Sequence, residues 1–135
     1  MLTDFFIANR AEIKKIDVIS DLDNFSNIKA KRVDPVKIST LEMILIGEAE
    51  DFIEPVKEFD SGDAWIIPIG QKLVEKLANL SSEDLSKSAS DWSKTEEWKL
   101  DNGNETELTE FLKQFKQLAF LSQNEQKEMF VFVAI

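Results

Sequence analysis

The sequence predicts a single α+β domain over residues 1–135, in which a small mixed or antiparallel sheet of about four or five strands packs with about four or five helices. Three observations predict it. A chain of 135 residues fits one core, which commonly serves about 100–200 residues. Two uncharged aromatic and β-branched runs stand near its ends, Phe5-Phe-Ile7 and Phe130-Val-Phe-Val-Ala-Ile135. Between them, apolar residues recur at helical spacing in segments separated by turn chemistry.

Residues 4–8 predict a first strand. Asn9 then caps a short helix on which Ile13 and Ile16 share a face. Residues 20–27 are rich in Ser, Asp and Asn and predict a loop. Residues 28–33 set basic against apolar side chains, as suits an edge strand where Lys discourages unwanted pairing. The sharpest helix signal follows: Asp34 as N-cap, Pro35 at the first helical position and Gly47 as the stop. Val36, Ile38, Leu41, Met43, Ile44, Leu45 and Ile46 point all round the axis, which predicts a buried helix over 35–46 covered on more than one face. On that helix Lys37, Ser39 and Glu42 are the residues that need water or a partner.

Residues 51–69 predict a hairpin, with strands over 52–59 and 64–69 joined by Asp60-Ser-Gly-Asp63, and with Pro55 and Pro68 keeping the pairing short. Residues 71–80 form an amphipathic helix with Leu73, Leu77 and Leu80 on one stripe. Ser81 and Asp84 resemble a capping box and open a helix that runs to about Trp98. After the break Asp101-Asn-Gly-Asn104, residues 105–121 form a helix whose Leu108, Phe111, Leu112, Phe115, Leu118 and Ala119 lie within an arc of about 120°. The closing apolar run reads as a strand covered on both faces and paired with the run at 5–7.

Composition narrows the chemistry. The chain has no His and no Cys, which excludes Ser-His-Asp and Cys-His nucleophile machinery and ordinary zinc or iron–sulfur sites. No cofactor is implied. The net charge of -10 argues against nucleic acid as a partner, since that needs a basic footprint. Residues 38–110 hold eighteen acids against six bases, while the segments on either side are each close to neutral. Such a field repels anionic lipid and attracts cationic partners. No apolar run approaches the roughly 18 residues of a membrane span. The first ten residues lack the order of a secretory signal, so the expectation is a cytoplasmic protein.

Catalysis or metal binding must use oxygen and amine groups. Asp60 and Asp63 in the hairpin turn are candidate ligands for a hard cation such as magnesium or calcium, without the length of an EF-hand loop. On a continuous helix from Ser81, Glu96 lies within about 40° of Trp92, inside the apolar stripe of Leu85, Ala89 and Trp92. A carboxylate there must be paired or neutralised, which marks Glu96 as a candidate functional acid. Trp92 and Trp98, about 120° apart with Thr95 between them, predict a groove that Trp65 could close, suited to a cationic or sugar-like ligand. The alternative is that the three indoles are core and Glu96 a structural ion pair.

Asp34-Pro-Val-Lys-Ile-Ser-Thr-Leu-Glu-Met-Ile-Leu-Ile-Gly47 and Trp92-Ser-Lys-Thr-Glu-Glu-Trp98 resemble the DPV…TLE…L.G helix and the W-[SA]-x-T-E-E-[FW] segment of a family of small cyanobacterial and actinobacterial proteins. The resemblance covers nearly the whole chain and implies a bacterial, single-domain protein, and no activity comes with it. Function is expected to be that of an acidic protein-interaction module, such as an inhibitor or immunity protein, that binds a basic partner. The alternative is a small-ligand-binding protein or carboxylate enzyme with a groove around Glu96 and the Trp residues.

Overall fold

The computed structural model describes residues 2–49 and 53–135. Glu50, Asp51 and Phe52, where the first hairpin strand was expected to begin, lie outside the described residues, as does Met1. Five strands form one antiparallel sheet: β1 (Leu2–Ala8), β2 (Asn27–Lys31), β3 (Lys57–Glu58), β4 (Ala64–Pro68) and β5 (Glu128–Ala134), in the order β2-β1-β5-β4-β3. The two aromatic runs pair directly, with Phe5 opposite Val131 and Phe6 opposite Phe130. β2 is an edge strand, as its lysines predict. The hairpin between β3 and β4 is short: only Lys57 and Glu58 pair with β4 in the β3 ladder.

Both faces of the sheet are covered, which explains why β1 and β5 lack polar alternation. On one face Phe5, Ile7, Met129, Val131 and Val133 meet the helices α2 (Pro35–Ile46), α3 (Gln71–Ala78), α4 (Ser82–Ser93) and α6 (Glu105–Asn124). Phe5 lies edge-on to Phe111, 5.6 Å between centroids, and 5.0 Å from Phe115. On the other face Phe6, Phe130, Phe132 and Ile66 are covered by Ile13, Ile16 and Leu22. These belong to α1 (Arg10–Ile13) and to the chain behind it.

The loop expected over 20–27 is in large part a 3-10 helix, Ile19–Asn24. Asp21 turns back to accept the N–H groups of Asp17 and Val18 at 2.8 and 3.2 Å, and Leu22 is driven into the core. Short polar residues here organise a helical turn rather than a loop. Helix α2 has the expected limits, with Asp34 Oδ1 accepting from the Lys37 N–H and Gly47 left-handed at φ 86°. Its cover is less complete than its aliphatic content predicts. Ile38 and Leu41 are buried, but Val36 and Met43 are 59% and 54% exposed, because neighbours press on only part of its circumference.

Candidate ligand-binding cavity

The helix expected to run from Ser81 to Trp98 is two helices. α4 stops at Ser93, and α5 (Glu96–Leu100) starts afresh with Thr95 as N-cap in extended conformation, φ -66° and ψ 151°. The Thr95 hydroxyl donates back to the Trp92 carbonyl at 2.7 Å, closing off the first helix. The chain turns at this junction, so a projection down one axis fails. Glu96 is not on an apolar stripe; it is exposed in the first turn of α5. Trp92 and Trp98 are not spread about one helix but meet edge-to-face, 5.3 Å apart at 86°, inside the core. Trp65 is on β4. The break in the backbone thus leaves Trp92 and Trp98 in the core and Glu96 at the surface.

The polar residues of α2 find separate environments. Lys37 is 2% exposed, and its ammonium donates to Asp101 Oδ2 and the Arg32 carbonyl while lying 4.2 Å from the Trp98 ring centroid. The paired ammonium holds Asp101 below the usual carboxylate range. The Lys37 carbonyl in turn accepts from Trp92 Nε1 at 3.0 Å. This buried cation thus fastens α2 to α4 and α5 and has a structural task.

Ser39 and Glu42, on another side of α2, border a cavity of about 330 Å³. Helix α2 supplies Pro35, Ile38, Ser39 and Glu42 to its wall, and the sheet supplies Phe5, Val131, Trp65 and Ile67. Ile53 and Pro55, ahead of β3, and the turn Pro68-Ile-Gly70 complete it. Glu42 is 7% exposed and engaged within the fold. Among the described residues that line the cavity it is the sole ionisable side chain. Glu42 shares an adjoining hollow with Glu48 and Lys72, which pair at 2.9 Å. Another hollow, sharing Pro55 and Pro68, holds Arg10, Lys14 and Glu54.

Of the residues proposed from sequence as ligand-binding, Trp65 alone borders this cavity. Ser39 and Glu42 were marked only as polar residues on an apolar helix that need water or a partner, and nothing in the sequence placed a cavity beside them. Asp60 and Asp63 lie exposed in the β3–β4 turn, and among the described residues no group of three or more carboxylates converges on a metal position. Asp4 was not singled out. It is 1% exposed on the opposite sheet face, accepts from Asn27 Nδ2 at 3.1 and 3.0 Å, and burial pushes its carboxyl up to about 6.

No family model matches the chain, and no curated protein and no solved structure matches it either.

Proposed function

We propose that the protein binds a small, predominantly apolar organic molecule in the cavity between α2 and β4. The observation that carries this is a concave space of about 330 Å³ with aromatic and aliphatic walls and two polar side chains, Ser39 and Glu42. Ligand sites have this composition and typically fall in the range of about 300–1,000 Å³. Indole, a neutral one-ring probe, tests it by the shift of the Trp65 side-chain N–H signal in 15N spectra. The expected result is a saturable shift that Ser39→Phe abolishes by filling the space, with the melting temperature little changed because Ser39 is only half-buried. Equal binding to the filled variant would place the ligand elsewhere.

A second reading, that of an acidic module docking a basic protein, is favoured by a different observation. Among the described residues, Glu42 is the only buried acid within 38–110; the others keep their charge at or near the surface. The likeness of two segments to small bacterial proteins supports placing either activity in a bacterial cytoplasm. No helix among the described residues is long and apolar enough to cross a membrane.

A further inference from the structure

Asn102 and Gly103 form the sole Asn-Gly pair in the sequence. In such a pair the glycine nitrogen can attack the asparagine side-chain carbonyl, because no Cβ crowds its approach. The bond from the glycine nitrogen to Cγ forms, the Cγ–Nδ2 bond breaks, and ammonia leaves with the proton that the nitrogen gives up. Water then opens the succinimide at either carbonyl, leaving an aspartyl or a β-linked isoaspartyl residue. The fold demands glycine here for a different reason: a Cβ on Gly103 would run into the Trp98 ring. Packing thus places a reactive pair at the end of α5.

That end also restrains the reaction. Asn102 sits in the left-handed region at φ 55°, a conformation that Asn adopts more readily than most residues. Its N–H donates to the Lys99 carbonyl at 3.3 Å, and the Gly103 N–H donates to the Trp98 carbonyl at 2.9 Å. This pair of bonds is a Schellman cap, and it ties up the very N–H that deamidation must give up. The flanking residues are held as well. Asp101 receives the Lys37 ammonium on its carboxylate and Arg32 Nη1 on its carbonyl, the latter at 2.6 Å. Asn104 caps α6 by accepting the Glu107 N–H at 2.8 Å. The Asn102 side chain is exposed, so water reaches it and the restraint is one of backbone conformation.

We propose that Asn102 is a deamidation site gated by the Schellman cap of α5, intact while the cap is closed and reactive when it opens. Closing is far faster than this chemistry, so the rate follows the fraction of chains with the cap open. The isoaspartyl product lengthens the backbone by one carbon and adds a carboxylate beside Asp101. Both changes work against re-forming the cap and the Lys37 pairing, which makes the opening of α5 irreversible.

Ageing the whole chain in mildly alkaline buffer tests this. Peptide mapping by mass spectrometry follows amide-to-acid conversion at Asn102, and enzymatic carboxyl methylation identifies the isoaspartyl form. Conversion should be at least tenfold faster in guanidinium chloride, where the cap is lost, than in the folded chain. Arg32→Asn frees the Asp101 carbonyl and keeps a residue that accepts the positive φ of 65° at that position. It should speed conversion in the folded chain by about threefold or more, with little change in melting temperature. Lys37→Met, which releases the Asp101 carboxylate, serves if Arg32→Asn does not fold. Folded and denatured chains that convert within about threefold of each other overturn the gate, as does a folded variant no faster than the parent. An Asn102 that stays intact in denaturant overturns the site itself.

Discussion

Asp4 shows what one buried carboxylate does to the stability of the whole chain. In β1 it stands opposite Phe132 on one side and Lys29 on the other, on the sheet face covered by the 3-10 helix. Desolvation raises its pKa to about 6, against the lowering influence of Asn27 and Lys29. A raised carboxyl pKa means that the folded state holds a proton which the unfolded chain, near 3.8, has released. Stability therefore falls as pH rises from about 4 to about 6 and then levels, by an amount on the order of 3 kcal/mol for a shift of this size. Asp21, Glu48 and Asp101, whose pKa values are lowered, act in the opposite sense, and their contribution is lost only in more acid solution. Asp4→Asn keeps an acceptor for Asn27 and removes the charge. Urea denaturation across pH 4–8 should show it more stable than the parent by about 1–3 kcal/mol at pH 8. The two should converge near pH 4; a parallel pair of curves would show that Asp4 is ionised at no cost. The residue scale was also where sequence reading was most uneven. Lys37 and Glu42 were legible as misfits because they interrupt an apolar helix, whereas Asp4 drew no attention, since its burial is imposed by Phe132 and the 3-10 helix from outside its own strand.

At the scale of elements, caps and turns were legible wherever the signal is local. Asp34, Pro35 and Gly47 delimit α2, and Asn104 opens α6 by accepting the Glu107 N–H at 2.8 Å. The break at Thr95 carries a local signal too: a hydroxyl residue followed by Glu96 and Glu97, a favoured start for a helix. It was overridden by the apolar periodicity running through Trp92, which does not reveal that the axis turns. The turn has a packing purpose, since it folds Trp98 back onto Trp92 and over the Lys37 ammonium. Gly103 belongs to the same knot. A Cβ at this position runs into the Trp98 ring, while one at Gly47 meets nothing within 4 Å. Gly103→Ala should therefore cost about 1–3 kcal/mol by overpacking. Gly47→Ala, which pays only for its left-handed backbone, should cost about 1–2 kcal/mol, and near-UV circular dichroism of the Trp pair should change in the first variant alone.

For the molecule as a whole, fold class, strand pairing at the centre of the sheet and the edge position of β2 were all readable, because they depend on the burial pattern of entire strands. What lay beyond sequence was where a cavity opens and which part of α2 stays wet. Charge is likewise a property of the whole. If the acidic surface steers a basic partner, the association rate should fall steeply between 50 and 500 mM salt (concentrations of the test), while the dissociation rate changes little, since rim charges act mainly through screened encounter. Stopped-flow mixing with a basic protein that the chain captures would read this; a rate indifferent to salt removes the electrostatic reading.

The place of β5 in the sheet has a consequence for synthesis. β1 is made first, yet the strand that covers its inner edge begins at residue 128, about 120 positions after β1 ends. At a translation speed of about 5–20 residues per second, Phe5, Phe6 and Ile7 wait roughly 6–24 s for that neighbour. Through this interval the nascent chain displays a sticky aromatic ribbon, and ribosome-associated chaperones are the natural agents to shield it.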